Sequence, residues 1–260
     1  MNARSNGMRI PTEEMTVKGG PVTSPSVGIT LLPGEGEVHL WRLPGLVDAP
    51  LLAEYEPELS AGERARGRAF RSRDDKDRFV SAHGGLRRLL ASYTGSRPAG
   101  LMYAPGSGKP SLRSPHSAGA IRFNMSHSGD LVLVAVAAGR EVGVDIERIR
   151  TDLDVRAIAG KCFCPAELRM LDERTGAVME DLFYSIWSRK EAYVKALGGG
   201  ISLDLRAIDV SSAPSVQERR WHLLDLPLPR GYRGALAADG PVGRISMFDS
   251  IDPVSAMVTW

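Results

Sequence analysis

The 260-residue chain lacks most of the features that mark a specialised class of protein. Its two cysteines, Cys162 and Cys164, are accompanied by no second Cys or His pair at ligand spacing, so neither a disulfide framework nor a zinc site is predicted. No apolar run approaches the roughly 20 residues that span a bilayer. The first residues also lack the apolar centre of a secretion signal. These absences predict a protein of the reducing cytoplasm that has no membrane contact.

Excess charge of one sign is also missing. The net charge is +2, with 43% hydrophobic and 25% charged residues, which is ordinary for a globular protein. A charge this small does not indicate a nucleic-acid binder by itself. The Gly, Pro, Ser and Thr content of residues 1–34 predicts a flexible leader outside the fold.

Alternation of apolar residues predicts the strands of the first half. "EVHLWRL" (Glu37–Leu43) is a first strand, and two helices are expected to follow, meeting near Arg73–Asp75. The segments "AIRFNMSHS", "LVLVAVAA" and "EVGVDIERI" are separated by short turns, a pattern typical of an antiparallel meander.

The second half repeats this style. Helices are predicted over "LDVRAIAGKCF", "PAELRMLDER" and "MEDLFYSIWSRKEAYVKAL", the last ending at Gly198–Gly200, and strands over "IDVSS", "WHLLDL" and "GYRGALAA". Because helices and meandering strands occur twice, we expect an α+β fold of two similar lobes. The predicted lobes are residues 35–141 and residues 142–260, the second with an additional C-terminal tail.

Two carboxylates occur one step apart in "GVDIERI". Strand alternation places Gly143, Asp145 and Glu147 on one face, opposite Val142, Val144 and Ile146. A solvated strand edge, balanced by the arginines that follow, would explain this pattern. With a third carboxylate from a helix, the set would instead suit Mg²⁺, a hard ion that takes oxygen ligands.

The helix "WSRKEAYVKALGGG" supplies that carboxylate. Trp187, Glu191 and Lys195 are spaced i, i+4, i+8 and therefore form one row along its surface. Taken alone, Glu191 and Lys195 are a surface ion pair worth about 0.3–0.5 kcal/mol.

Three segments could bind phosphate. Ser126, His127 and Ser128 in "FNMSHSGD" offer hydroxyls, an imidazole and backbone N–H groups to an anion, or they form an ordinary hairpin turn. Lys109 lies in the loop "GSGKPSL", which is not a Walker loop and where a lone lysine is usually solvated. Residues 64–88 are rich in arginine, which suits either a solvated helix face or recognition of phosphates.

Four segments in this order, "GKP", "FNMSHSGD", "GVDIE" and "WSRKEAYVKALGGG", resemble the Sfp-type 4′-phosphopantetheinyl transferases. Enzymes of this family move the phosphopantetheine arm of coenzyme A onto a serine of an acyl or peptidyl carrier protein. The match extends over about residues 38–238. It implies a pseudo-two-fold pair of α+β lobes, each an antiparallel sheet with packed helices, with coenzyme A in the cleft between them.

The resemblance also implies roles for individual residues. A Mg²⁺ site, with Mn²⁺ as the alternative ion, would consist of Asp145, Glu147 and Glu191. Coenzyme A would be bound by Arg66, Arg78, Lys109, Ser126, His127 and Lys195, with Lys195 on the pyrophosphate. The catalytic residues would be Asp145, Lys195 and Glu191, the last as the base that takes the proton of the carrier serine.

The implied partners are coenzyme A and apo carrier domains of polyketide, nonribosomal peptide or fatty-acid synthases. The expected protein is a monomeric enzyme of the holo-[acyl-carrier-protein] synthase type. One rival is a relative that binds coenzyme A, no longer transfers its arm and regulates a synthase; the retained carboxylates argue against it. The other, a nucleic-acid binder built on residues 64–88, is disfavoured by the near-neutral charge.

Overall fold

The computed structural model describes residues 15–17, 32–104, 109–113, 121–198, 203–211, 215–216 and 220–249. Within these ranges, none of the helices is both long and apolar enough to cross a bilayer. The strands are β1 (Met15–Val17), β2 (Glu37–Pro44), β3 (Ile121–Ser128), β4 (Leu131–Ala138), β5 (Val142–Arg148), β6 (Ser215–Val216), β7 (Trp221–Asp225), β8 (Tyr232–Asp239) and β9 (Arg244–Asp249). The α-helices are α1 (Ala49–Glu58), α2 (Ala61–Ala69), α3 (Arg73–Thr94), α4 (Val155–Cys162), α5 (Pro165–Asp172) and α6 (Gly176–Leu197).

The strands form two sheets, in the orders β1-β9-β2-β4-β3 and β5-β8-β7-β6. Apolar residues of β2, β4 and β9 meet those of β5 and β8 in a core between the sheets. Helix α3 covers the outer face of the first sheet, while α4, α5 and α6 cover the second. The predicted α+β fold with packed helices is therefore confirmed.

The strand β5 leaves the predicted meander. Strands β3 and β4 form the expected antiparallel hairpin, but β5 pairs with β8 in the second sheet. The turn between β4 and β5 contains Gly139 at φ +70°, a left-handed conformation that glycine adopts without strain. The chain thus changes sheets where a third meander strand was expected.

Local sequence sets the helix ends close to the predicted positions. Ser60 and Glu63 form a capping box at the start of α2, and Ser72 caps α3, between the two predicted helices. Helix α6 ends as predicted, with Gly198 at φ +71° as its C-cap. The predicted strand "IDVSS" is wrong, because residues 208–211 form no strand and residue 212 lies outside the described ranges.

The first and the last of the described strands both join the first sheet. Three residues of the predicted flexible leader form β1, which pairs with β9 in parallel. Strand β9, from the region predicted as the second lobe and its tail, pairs in parallel with β2. Arg42 of β2 donates two hydrogen bonds of 2.6 Å to the Asp249 carboxylate of β9. The first sheet is therefore mixed, and the division into lobes at residues 141/142 remains a prediction.

Candidate functional site

Strand β5 presents its two faces as the alternation predicts. Val142, Val144 and Ile146 lie in the core between the sheets. On the other face, Gly143 lies directly beneath helix α6, where an added Cβ would stand 2.0 Å from the carbonyl oxygen of Ala192. Only glycine allows this approach of strand and helix. Glycine at this position therefore brings α6 onto the carboxylate-bearing face of β5.

Helix α6 and strand β5 are joined by an ion pair at this contact. The Lys195 amino group lies 2.6 Å from Oδ1 of Asp145. Asp145 is 1% exposed, so this carboxylate is removed from bulk water. A buried carboxylate needs partners that offset the loss of hydration. Lys195, two turns after Trp187 on the predicted helical row, is one such partner.

The two oxygens of Asp145 have different environments. Oδ1 accepts hydrogen bonds from Lys195 and from the Ser126 hydroxyl, the latter at 3.0 Å. Oδ2 is buried and has no hydrogen-bond partner within the described ranges. Buried polar atoms in native proteins are nearly always satisfied, so an unpaired carboxylate oxygen needs an explanation. A cation is a suitable partner for Oδ2.

Glu147 and Glu191 lie close enough to Asp145 to be influenced by its charge. Burial and the neighbouring Asp145 raise the pKa of Glu147, although hydrogen bonds from Ser128 and Trp187 act in the opposite direction. Burial and Asp145 likewise raise the pKa of Glu191, against the charge of Lys195. Like charges gathered in a partly buried place disfavour each other's ionised form. The three carboxylates therefore form one zone of negative potential.

The three carboxylates do not form a closed cluster in this structure. Among the described residues, the His, Cys, Asp and Glu ligand atoms that all lie within 4.8 Å of one another belong to Cys164, Glu167 and Asp209. That cluster has a structural explanation. The Glu167 carboxylate accepts hydrogen bonds from the backbone N–H groups of Cys164 and Val210 and pairs with Lys190 at 2.8 Å.

Lys190 was not singled out from the sequence, although it lies within the helix motif. Its side chain and that of Glu167 are both 0% exposed. The amino group also donates hydrogen bonds to the carbonyl oxygens of Leu205 and Ile208. The position did carry a signal. Lys190 follows Ile186 and precedes Val194 by four residues, so it belongs to the buried stripe of α6 and requires a buried partner.

Side chains of β3 reach β5 from the first sheet. Ser126 Oγ accepts a hydrogen bond from Lys195 at 2.9 Å while donating to Asp145. Ser128 Oγ donates to Oε2 of Glu147 at 3.0 Å. The structure thus brings the predicted phosphate-binding strand next to the predicted metal ligands. Ser126 is already engaged with the carboxylate and with the lysine.

His127 lies on the opposite face of β3 from Ser126, because side chains alternate along a strand. Desolvation of the ring, followed by electrostatic interaction with His83 and Lys195, lowers the pKa of His127 below its ordinary value. The neutral imidazole is therefore favoured at neutral pH. Such a ring can donate one hydrogen bond to a phosphate oxygen and take up a proton on binding.

Lys109 is held by the start of β5. Its amino group lies 2.6 Å from Oε2 of Glu141 and 2.6 Å from the carbonyl oxygen of Val142. Burial lowers the pKa of Lys109, although its hydrogen bond to the Glu141 carboxylate opposes this. Arg122 donates to the other oxygen of Glu141 at 2.7 Å. These groups line a cavity of about 600 Å³, together with the last turn of α6.

Arg66 and Arg78 occupy different positions. The Arg66 guanidinium lies over the Phe79 ring, 5.3 Å from its centroid, and lines a second cavity of about 510 Å³. Arg78 donates to the carbonyl oxygen of Gly129 at 2.7 Å and pairs with Asp130 at 3.0 Å. Arg66 therefore faces an open volume, whereas Arg78 contacts the turn between β3 and β4.

Comparison with known proteins identifies the family. The family model described as the 4′-phosphopantetheinyl transferase superfamily matches residues 141–236, which include β5 and α6. The chain is 34% identical over 220 residues to the 4′-phosphopantetheinyl transferase HetI of Nostoc sp., covering 82% of this chain and 91% of that protein. The chain belongs to the 4′-phosphopantetheinyl transferase superfamily.

Two further relatives carry the same description. The 4′-phosphopantetheinyl transferase of Bacillus subtilis is 32% identical over 170 residues, covering 63% of this chain and 73% of the relative. The 4′-phosphopantetheinyl transferase AcpT of Salmonella typhimurium is 40% identical over 142 residues, covering 54% of this chain and 71% of the relative. The predicted superfamily is confirmed, and the Sfp-type subfamily remains a prediction.

Proposed function

We propose that this protein transfers the 4′-phosphopantetheine arm of coenzyme A to the serine hydroxyl of an apo carrier protein. The observation that carries the proposal is the junction of β5, α6 and β3. There Asp145 keeps one buried oxygen unpaired while its other oxygen is shared by Lys195 and Ser126. The family relationship gives the reaction type, and this junction gives the groups that would perform it.

The site has the chemistry of a divalent-cation site. Asp145, Glu147 and Glu191 would hold Mg²⁺, with Mn²⁺ as the alternative ion, because both accept oxygen ligands. The unpaired, buried Oδ2 of Asp145 and the two neighbouring glutamates suit a divalent cation as partner. The bound ion would offset negative charge on the pyrophosphate oxygens of coenzyme A.

Residues around the carboxylates would bind the coenzyme. Lys195 would place its positive charge beside the pyrophosphate. His127 would donate a hydrogen bond to a phosphate oxygen, and Ser126 would do so on giving up its bond to Asp145. Arg66 lines an open cavity and suits the nucleotide end. Lys109 would reach the same end on exchanging its bond to Glu141 for one to a phosphate. The bonds of Arg78 favour an indirect role, in which it supports the turn after Ser128.

Proton transfer is assigned to Glu191. The carrier serine must lose its proton as it attacks the β-phosphate, and adenosine 3′,5′-bisphosphate leaves. Burial and Asp145 raise the pKa of Glu191, and a raised pKa brings a carboxylate closer to the value that suits a general base near neutral pH. Because a carboxylate cannot be both a tight metal ligand and a base, Glu191 would have to bind the ion loosely in order to accept the proton, directly or through water.

The carrier is proposed from the family alone. We propose apo carrier domains of polyketide or nonribosomal peptide synthases, with fatty-acid carriers as further substrates, and a monomeric enzyme acting in the cytoplasm. Parallel reactions with each carrier class would rank them. Size measurement at working concentration would test the monomer.

The transfer itself is tested by mass spectrometry. The protein is incubated with coenzyme A, Mg²⁺ and an apo carrier, and the carrier mass is measured. A gain equal to the phosphopantetheine group, absent with Asp145→Ala, is expected. No gain with any of the three carrier classes would refute the proposal. Binding of coenzyme A without a gain would favour the regulatory alternative.

A further inference from the structure

Strand β5, at the end of the second sheet, lies against strand β3, at the end of the first. Strand β3 ends the first sheet and β5 ends the second, and each pairs with a strand of its own sheet on its other side. Just beyond β5, the N–H of Ile149 donates to the carbonyl oxygen of Gly231, which shows that the main-chain groups of odd-numbered residues point towards β8. Along a strand, the N–H and C=O groups of successive residues point to opposite sides. The N–H and C=O groups of even-numbered β5 residues therefore point away from β8, towards β3.

Side chains of β3 satisfy these groups. Asn124 Oδ1 accepts a hydrogen bond from the backbone N–H of Val144 at 2.9 Å. Ser128 Oγ accepts one from the backbone N–H of Arg148 at 3.0 Å. Both acceptors stand where a neighbouring strand would offer a carbonyl oxygen. Asn124 is 7% exposed, so its bond lies out of reach of bulk water.

The two bonded N–H groups lie on either side of the carboxylate-bearing residues along β5. Val144 precedes Asp145, and Arg148 follows Glu147. Ser128 also donates to Glu147, which fixes the direction of that side chain at the same time as the main chain beside it. The five-residue segment Val144–Arg148 is held at both ends and has little freedom to twist. The carboxylates of Asp145 and Glu147 therefore keep a fixed separation and direction.

We propose that Asn124 and Ser128 are positioning residues that hold β5 through its main chain and thereby set the geometry of Asp145 and Glu147. The consequence for transfer rests on the proposed function. The anchoring itself does not rest on the proposed function, because it concerns only the hydrogen bonds of two backbone amides. The family resemblance implies phosphate contacts for β3, whereas Asn124 and Ser128 of this strand bond to the protein's own backbone.

Amide hydrogen exchange tests the anchoring on the full chain without ligands. Asn124→Ala is expected to accelerate exchange at Val144 by about tenfold or more, and Ser128→Ala to do the same at Arg148. Exchange at Asp145, whose N–H faces β8, should stay as in the unaltered protein. Unchanged exchange at Val144 and Arg148, or equal acceleration along all of β5, would overturn the proposal.

Ser81 provides a matched control outside the site. Its buried hydroxyl accepts a hydrogen bond from the Val47 N–H at 3.2 Å, the same kind of bond that Ser128 makes. Ser81→Ala should alter stability about as much as Ser128→Ala while leaving Val144 and Arg148 unaffected. Ser128→Thr keeps the hydroxyl and should restore protection at Arg148.

Kinetics separates positioning from coenzyme binding. In Asn124→Ala and Ser128→Ala, kcat for transfer should fall by about tenfold or more while KM for coenzyme A stays within about twofold. Ser128→Thr should recover kcat, and Ser81→Ala should keep it. Altered exchange with unchanged kcat would reject the positioning role. If the unaltered protein transfers nothing, the proposed function fails, while the exchange result still decides the anchoring.

Discussion

The amino group of Lys195 lies 2.6 Å from Oδ1 of Asp145, and this ion pair joins the helix and the strand that carry the proposed metal ligands. The pair neutralises one oxygen of a carboxylate that is 1% exposed and leaves the other oxygen unpaired within the described ranges. Here the asymmetry leaves Oδ2 free to act as a ligand while Oδ1 stays fixed.

Asp145→Asn is expected to lower kcat/KM for transfer by about 100- to 1,000-fold, because an amide cannot supply the negative ligand. The side chain keeps its shape, so the far-ultraviolet circular dichroism spectrum should be unchanged. Asp152→Asn is the control, since Asp152 is an exposed carboxylate paired with Arg150. Transfer by Asp145→Asn at the rate of this control would contradict the assignment.

Metal removal should stop transfer without unfolding the protein. EDTA is expected to abolish the mass gain of the carrier, and excess Mg²⁺ or Mn²⁺ to restore it. In the presence of coenzyme A, Mg²⁺ should also raise Tm, because a ligand that binds only the folded state stabilises it. Asp145→Asn should lose that rise. Full transfer in EDTA would remove the metal from the proposal.

The sequence predicted the components of the site better than their connections. The alternation of "GVDIERI" and the helical row of Glu191 and Lys195 follow from the local periods of strand and helix, and both are observed. The polar positions of β3 alternate with apolar ones just as they would on a solvated strand. Alternation cannot distinguish water from a second strand, so the role of Asn124 was not foreseen.

Contacts between segments that are distant in sequence were also not predicted. The addition of β9 to the first sheet depends on contacts such as Arg42 with Asp249, which are 207 residues apart. The departure of β5 from the meander likewise depends on its fit to α6, which requires the glycine at position 143. Such fits involve two distant segments at once, and neither segment encodes them alone.

Gly143→Ala should move α6 away from β5. The added Cβ would stand 2.0 Å from the Ala192 carbonyl oxygen and 2.4 Å from the Ala196 nitrogen, both backbone atoms. We expect a loss of about 1–3 kcal/mol in the free energy of unfolding, measured with denaturant, and a larger relative loss of transfer. Gly160→Ala in α4, where an added Cβ meets nothing within 4 Å, should be neutral or stabilising.

The raised pKa of Glu191 predicts a pH dependence of stability in EDTA. The folded protein holds this proton to higher pH than the unfolded chain does. The contribution of Glu191 is therefore fully present below its ordinary pKa and is lost as pH rises through the raised value. Glu191→Gln should accordingly raise Tm at pH 7.5 and lose this advantage near pH 4.

Glu173→Gln, at an exposed carboxylate, is the control for the pH series and should change Tm little at either pH. If both substitutions raised Tm equally at pH 7.5, the rise would come from the change in net charge alone. A lower Tm for Glu191→Gln at pH 7.5 would show that ionised Glu191 is stabilised in the folded protein.

The buried pair of Lys190 and Glu167 should behave as a unit. Lys190→Met leaves a fully buried carboxylate without its cation, and Glu167→Gln leaves a buried ammonium, so each is expected to lower the free energy of unfolding by about 3–5 kcal/mol. The double substitution should lose less than the sum, and denaturant unfolding of all four proteins measures the coupling. Strict additivity would contradict the pairing. Because Lys190 adjoins Glu191 on α6, any single variant that remains folded should also lose transfer activity, through displacement of the helix that carries the proposed base.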